Sequence, residues 1–356
     1  MDLTDLRSKI DGLDERLLDL LNERSRLVID IGKAKIAADG DIYAPHRERS
    51  VIDRLIDRNP GPLPNGALES ILREIMSGSL ALEQPLTIGY LAPAGSFSHV
   101  AAVVHFGSSV GHVPLPSIED VFAAVANGTC THGLVPYENS TSGSVTETLD
   151  AFGDHDVTAC AEALVKIQHC LIGSSAIHDI TRVLSKREVL HQCQKWLEEH
   201  LPGVTTEATR SSSHAVSMAS KDPTIAAIGS TLAAQQYDIP IIHDGIEDNH
   251  DNVTRFLVIG RQEAAATGTD KTAITFVTAD KPGALVDVLA VFRDAGVNLT
   301  HIEKRPSGMQ SWQYTFFADC MGHCSEDPLT SALAAAAEHC LRFRVLGSFP
   351  AAKQAL

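Results

Sequence analysis

The sequence predicts a multidomain chain: an all-α helical segment, a bilobed α/β region, and an α+β ferredoxin-like module. Three observations predict it. A leucine-rich stripe at three- and four-residue steps runs through residues 3–38, strands alternate with helices over residues 86–262, and a βαββαβ order fills residues 271–350. At 356 residues the chain has room for two or three domains.

The stripe is made by Leu6, Ile10, Leu13, Leu17, Leu20, Leu21, Leu27, Val28 and Ile31. A helix from Leu3 to about Ala38 would be about 54 Å long, too long to pack against one small domain. Such a helix usually bridges two copies, so a homodimer or higher homo-oligomer is expected. Pro45 suits the first turn of a second helix ending near Arg58. Asn59 to Gly66 is a Pro/Gly/Asn loop, and a third helix is expected over Ala67–Glu83. Arg24 and Lys35 project from one face of the first helix, about 16 Å apart along its axis, with Arg7 about 80–100° away. Arg47 and Glu48 open the second helix, and Glu83 closes the third. By pattern alone, cations among leucines also fit a solvated face.

After Pro85 the period changes. Short apolar runs at 86–91, 133–136, 164–167, 182–184, 226–229 and 256–259 alternate with helical stretches. That order predicts largely parallel sheets in two small lobes, with ligand sites beyond the strand ends. Two Ser/Gly-rich loops follow strands, Gly95-Ser96-Phe97-Ser98-His99 and Pro136-Tyr137-Glu138-Asn139-Ser140-Thr141-Ser142-Gly143-Ser144-Val145. They offer hydroxyls and backbone N–H groups to an anion. The turn Asn249-His250-Asp251-Asn252-Val253-Thr254-Arg255-Phe256 delivers a hydroxyl and a guanidinium to the mouth of an apolar strand. Twelve of the 29 Lys and Arg residues precede Glu83, and none lies between Glu74 and Val165. Arg255 is therefore expected to be among very few fixed charges available to an anion there.

Gln262 to Asp270 is a small-residue linker. A strand (272–278), helix (284–295), strand (298–304), turn at Pro306-Ser307-Gly308, strand (311–319), helix (329–339) and strand (343–347) follow.

A formal charge of −16 argues against a nucleic-acid partner. The acidic, polar start Met1-Asp2-Leu3-Thr4-Asp5 is unlike a targeting signal, and no apolar run approaches the roughly 20 residues needed to span a bilayer. Seven scattered cysteines fit reduced thiols, so a cytoplasmic location is expected. Cys320, His323 and Cys324 lack a second Cys pair and read as ordinary thiols rather than a metal site. No phosphate-loop or dinucleotide glycine fingerprint appears.

Several motifs resemble known families. Leu6-Arg7-Ser8-Lys9-Ile10-Asp11-Gly12-Leu13-Asp14, Asn22-Glu23-Arg24, Gly32-Lys33-Ala34-Lys35, Tyr43-Ala44-Pro45-His46-Arg47-Glu48-Arg49 and Leu80-Ala81-Leu82-Glu83 are similar to the all-helical (AroQ-type) chorismate mutases over residues 1–84. That resemblance implies chorismate binding by Arg7, Arg24, Lys35, Arg47, Glu48, Ser79 and Glu83, with Arg7 supplied by the partner protomer. Lys35 and Glu83 are the implied catalytic pair at the ether oxygen. Glu83 stands where some relatives carry Gln, so donation to that oxygen would require a raised pKa. Ala44 stands at a position that is acidic in some relatives.

The two Ser/Gly loops, with Gln168-His169-Cys170-Leu171-Ile172, Gln192-Cys193 and Asn252-Val253-Thr254-Arg255-Phe256, resemble prephenate dehydratases over residues 86–262. The implied fold is bilobed α/β (periplasmic-binding-protein-like). Thr254 is the implied catalytic acid, acting through a hydrogen-bonded network. Asn139, Ser140, Thr141, Ser185, Gln192, Arg255 and Phe256 are the implied prephenate contacts. The chain departs from the usual His-Pro-Gln after Ser185, with Lys186-Arg187-Glu188.

Asp280-Lys281-Pro282-Gly283-Ala284-Leu285-Val286 and Ile302-Glu303-Lys304-Arg305-Pro306 resemble the phenylalanine-binding motifs of ACT regulatory domains over residues 271–350. Gly283, Ala284, Leu285, Val286, Glu303, Arg305 and Pro306 are the implied effector contacts, with Lys304 where relatives usually carry Ser.

The expectation is an enzyme making prephenate from chorismate and phenylpyruvate from prephenate, inhibited by phenylalanine, with no cofactor and no metal. The rival is a non-enzymatic small-molecule sensor carried on a helical dimerisation domain.

Overall fold

The computed structural model describes residues 2–37, 43–306, 314–352 and 355. The far end of the first helix at Ala38, the Ser307-Gly308 part of the turn at Pro306-Ser307-Gly308 and the start of the strand expected from Ser311 lie outside these residues. The chain divides into two compact units, Met1–Leu86 with Phe106–Gly111, and Thr87–His105 with His112–Leu356.

The first unit contains α1 (Leu3–Ala37), α2 (Pro45–Asp57) and α3 (Asn65–Glu83). The C-terminal half of α1 packs on α3 around Val28. A Cβ at Gly32 would stand 3.1 Å from the Glu83 Cα, so glycine permits that close approach. Tyr43, Ile52, Met76 and Leu80 complete this small core. The N-terminal half of α1 is different, because every residue from Asp2 to Leu20 is exposed, its leucine stripe included.

The second unit opens with β1 (Thr87–Leu91), α4 (Phe97–Phe106), β2 (Gly111–Leu115), α5 (Ile118–Ala126), β3 (His132–Asn139), β4 (Gly143–Ser144), α6 (Thr146–Asp154) and β5 (Thr158–Lys166). The chain then builds a second lobe. Its elements are β6 (Cys170–Ile172), β7 (Arg182–Ser185), α7 (Arg187–Gln192), α8 (Gln194–His200), β8 (Thr205–Ala208), α9 (Ser212–Ala219), β9 (Ile225–Gly229), α10 (Thr231–Gln236) and β10 (Ile241–His243). It returns to the first lobe as β11 (Val253–Gly260).

The first sheet has the order β2-β1-β3-β11-β5, with β4 beside β3, and the second the order β10-β6-β9-β7-β8. The sheets are mixed, which corrects the expectation of largely parallel pairing. β1 and β3 are parallel, but β11 runs antiparallel to both β3 and β5. A strand re-entering from the second lobe enters from the far end, so its direction is reversed. The two crossing segments are tied together where Ile167 N–H donates to Asn252 O (2.8 Å) and Ile246 N–H to His169 O (3.0 Å).

The last module contains β12 (Asp270–Thr278), α11 (Ala284–Asp294), β13 (Leu299–Pro306), β14 (Tyr314–Met321), α12 (Leu329–Glu338) and β15 (Cys340–Pro350). The order β13-β14-β12-β15 with both helices packed on the sheet is the ferredoxin-like arrangement. Its sheet shares a core with the first lobe, where Ala273, Phe317, Leu346 and Phe349 join Val135, Leu257 and Ile259. Gly347 sits at φ +147°, and a Cβ there would land on the Ala159 backbone, so only glycine lets β15 cross β5 so closely. Among the described residues no helix is long and apolar enough to cross a membrane.

Candidate active sites

Helical periodicity brings Arg24, Lys35, Ser79 and Glu83 together in the first unit. Arg24 and Lys35 share a face of α1, and Ser79 and Glu83 are one turn apart on α3. Arg24 Nη1 donates to Ser79 Oγ, whose own proton goes to Ile75 O (2.7 Å). Lys35 Nζ meets Glu83 Oε2 at 2.9 Å. Glu83, expected from sequence to serve the ether oxygen, is thus engaged by Lys35. The carboxyl that burial pushes up, from 4.5 to about 7, is Glu48 of α2. Arg73 and Lys35 pull it back down, and Glu83 adds to the rise. Arg47 is exposed at the start of α2. Arg7 lies 17 residues before Arg24 on a continuous helix, about 25 Å away along the axis, so it cannot reach the same pocket in its own chain.

In the second unit, a cavity of about 440 Å³ lies between the two lobes. The first lobe contributes Gly95, Ser96, Phe97, Ser98, Pro136, Asn139, Asn252, Thr254 and Phe256. The second contributes Lys186, Glu188, Gln192, Arg210 and the serines 211–213. The strand β11 presents Thr254 opposite Asn139 of β3. The Asn139 Nδ2 amide donates to Thr254 Oγ1 (2.9 Å) and to Asn252 Oδ1 (2.7 Å). Its Oδ1 accepts from the backbone N–H of Thr141 and Ser142, both at 3.0 Å, and from Thr141 Oγ1 (2.6 Å). Every position on the Asn139 amide is therefore engaged, which fixes its orientation. A hydroxyl has one proton, and Thr254 accepts from Asn139, so that proton remains for donation into the cavity.

Ser140, Thr141 and Ser185 support the cavity from behind. Ser140 Oγ accepts from Val253 N–H (3.0 Å) and staples the loop to β11. Ser185 Oγ donates to Ile228 O (2.7 Å) and lies 3.1 Å from the Ser212 hydroxyl. Gln192 and Phe256 line the cavity directly.

Arg255 does not join them. Successive strand residues face opposite sides, so Thr254 in the cavity puts Arg255 on the far face of β11. There its Nε meets Glu162 Oε2 at 2.7 Å, its Nη1 pairs with Asp319 of β14, and its guanidinium lies 4.9 Å from the Tyr137 ring. Lys271 Nζ adds a second cation 3.0 Å from Glu162. The sequence reading of Arg255 as a cavity charge is corrected by strand alternation. The cations that line the cavity are Lys186 and Arg210.

The two effector motifs lie on different elements of the ferredoxin-like module, at the start of α11 and along β13. Gly283 caps α11 at φ +85° and, with residues 284–286, Tyr314 and Phe316, lines a pocket of about 230 Å³. On β13, Glu303 instead accepts from Ser144 Oγ (3.2 Å), and Arg305 holds Asp150 at 2.6 and 3.0 Å. Lys304 and Pro306 fall on the opposite, exposed side of that strand, with Lys304 Nζ 4.9 Å from the Tyr314 ring. His323 uses both ring nitrogens locally, toward Ala264 O (3.0 Å) and Ser325 Oγ (2.8 Å).

Sequence reasoning assigned no role to His169, Arg210 or Ser211–Ser213. The ring Nε2–H of His169 donates to Gln192 Oε1 (2.9 Å), and burial lowers its pKa, so it stays neutral. The run Ser211-Ser212-Ser213 before an apolar stretch is a legible N-cap signal, and Ser211 Oγ indeed accepts from His214 N–H (3.1 Å). It was obscured because the preceding strand, β8, is exposed along its whole length.

The comparisons with known proteins agree along the whole chain. Residues 6–84 match the family model for chorismate mutase type II, 88–264 that for prephenate dehydratase, and 272–338 that for the ACT domain. A bifunctional chorismate mutase/prephenate dehydratase of Pseudomonas aeruginosa is 43% identical over 354 residues, covering 98% of this chain and 97% of that one. The protein of the same name from Aquifex aeolicus is 40% identical, covering 99% and 98%. Among solved structures, a prephenate dehydratase of Arthrobacter aurescens in complex with L-Phe superimposes with a TM-score of 0.71. It is 32% identical and covers 76% of this chain and 92% of that one. The chain therefore belongs to the bifunctional chorismate mutase/prephenate dehydratase family.

Proposed function

We propose residue roles for the two consecutive reactions this enzyme performs in phenylalanine biosynthesis, with modules at residues 1–84, 86–262 and 271–350. The first converts chorismate to prephenate by a pericyclic rearrangement that needs no nucleophile. Catalysis there is positioning plus stabilisation of charge on the ether oxygen. Arg24, Arg47 and the Arg7 of a second copy hold the two carboxylates, which suit bidentate guanidiniums. Lys35 serves the ether oxygen, with Glu83 and Ser79 holding the two cations in place, and Glu48 serves the substrate hydroxyl. The exposed leucine stripe of α1 supports the second copy. Each such side chain gains roughly 1.5–3 kcal/mol on full burial, so the seven exposed members of the stripe, Leu6, Ile10, Leu13, Leu17, Leu20, Leu27 and Ile31, favour association strongly. The free thiols of all seven cysteines fit a cytoplasmic location.

The second reaction removes carbon dioxide and the ring hydroxyl from prephenate. The bond to the ring carboxylate breaks, its electron pair enters the ring, and hydroxide departs with a proton as water. Thr254 is the hydrogen-bond donor to that hydroxyl. The observation that carries this reading is the Asn139 Nδ2–Thr254 Oγ1 bond (2.9 Å), which leaves the threonine proton aimed at substrate. Gln192, Phe256 and the Ser140–Thr141 loop shape the cavity. The pocket at Gly283–Val286 takes phenylalanine, with Pro306 on the exposed face of β13 completing it across a dimer.

The test follows prephenate and phenylpyruvate separately from chorismate. Thr254→Ala is expected to accumulate prephenate and make no phenylpyruvate, whereas Thr254→Ser keeps both steps. Undiminished phenylpyruvate formation by Thr254→Ala would overturn the assignment.

A further inference from the structure

With Arg255 turned away, the dehydratase cavity needs another group to receive a dianion. Prephenate constrains where that group stands. Its departing hydroxyl and the carbon bearing both acidic arms lie across the ring from each other, so a hydroxyl at Thr254 puts the carboxylates toward the opposite wall. On the second lobe, the lining of that cavity includes the start of α9.

Three independent features meet there. Ser212 and Ser213 open α9, and first-turn N–H groups have no partner within a helix. The Ser213 side chain is 2% exposed and lines the cavity, yet its hydroxyl has no hydrogen-bond partner among the described residues. Buried hydroxyls are normally satisfied, so an orphan in a cavity wall marks a place for a ligand acceptor. Arg210 and Lys186 flank the same wall, with one opposing charge, Glu188, which lies 3.5 Å from Lys186.

We infer that the N-terminus of α9, with Ser213, Arg210 and Lys186, forms the subsite for the pyruvyl carboxylate of prephenate. The choice between the two carboxylates follows from the chemistry. The ring carboxylate loses its charge as carbon dioxide forms, so a cation held against it would stabilise the ground state more than the transition state. The pyruvyl carboxylate keeps its charge into the product, so a cation there binds without retarding the step. Lys186 and Arg210 thus replace the charge that β11 carries on its other face.

The inference rests on Thr254 and the cavity being the dehydratase site, and the test separates the two. Prephenate KM and kcat are measured with the full chain, together with the inhibition constant of phenylpyruvate, which retains only the pyruvyl carboxylate. Arg210→Ala is expected to raise both KM and the phenylpyruvate constant by about tenfold, with kcat much less affected. Lys186→Ala acts in the same direction, Arg210→Lys restores part of the loss, and Glu188→Gln lowers both constants. Urea unfolding of the same preparations reports that the second unit of each variant is folded. A KM insensitive to all three charge changes would overturn the subsite, as would a raised KM with an unchanged phenylpyruvate constant. If instead Thr254→Ala still makes phenylpyruvate, the site itself is misplaced, whatever the charge series shows.

Discussion

Thr254 and Arg255 are chain neighbours that serve different halves of the second unit. One faces the cavity between the lobes, and the other is buried against Asp319 of the ACT sheet. The alternation of β11 makes a single strand both a wall of the cavity between the lobes and a seat for the ACT sheet.

Removing Arg255 should be a stability defect first. The side chain of Glu162 and that of Asp319 are fully buried, and Arg255→Ala would leave both without their shared cation. Breaking a buried pair in this way costs roughly 3–5 kcal/mol. Urea denaturation of the full chain should show that loss, with the residual folded enzyme keeping a near-normal prephenate KM. A folded Arg255→Ala protein with a strongly raised KM would instead return Arg255 to substrate binding.

Asn139→Ala should disable Thr254 without touching it. The hydroxyl loses the donor that fixes its orientation, at a cost of roughly 1 kcal/mol or more. Steady-state kinetics on prephenate should show a fall in kcat of about tenfold. An unchanged kcat would mean that the threonine needs no such support.

Glu48 gives the mutase unit a pH dependence of known sign. The folded chain holds its proton up to about 7, while the unfolded chain releases it near 4.5. Folding is thus favoured fully below 4.5, and that contribution is lost as pH rises to about 7. Thermal unfolding across this window should show stability falling with pH at this site, and Glu48→Gln should flatten the slope. Because Lys35 lowers and Glu83 raises the Glu48 titration, Lys35→Ala should move it up and Glu83→Gln down.

Arg7 and Arg24 should complement across chains. Arg7→Ala and Arg24→Ala homodimers are each expected to lose mutase activity. Mixed and reassembled, they should regain roughly a quarter of sites, since half the dimers carry one intact site of two. No recovery after verified subunit exchange would place Arg7 in its own chain's site or outside any site.

Much was legible without coordinates. The α1 stripe, the alternation over residues 86–262 and the βαββαβ order depend on local periodicity, which side-chain direction fixes residue by residue. The motifs around Arg24, Lys35, Asn139, Thr254 and Gly283 were likewise short stretches of contiguous chain. Tertiary structure decided what periodicity leaves open. It paired Lys35 with Glu83 and gave the raised carboxyl to Glu48, because desolvation depends on how α2 packs against its neighbours. It reversed β11, because strand direction follows from where the chain re-enters a sheet. And it turned Arg255 toward Asp319 while bringing Arg210 to the cavity. A charge in sequence has no address until the face of its strand is known.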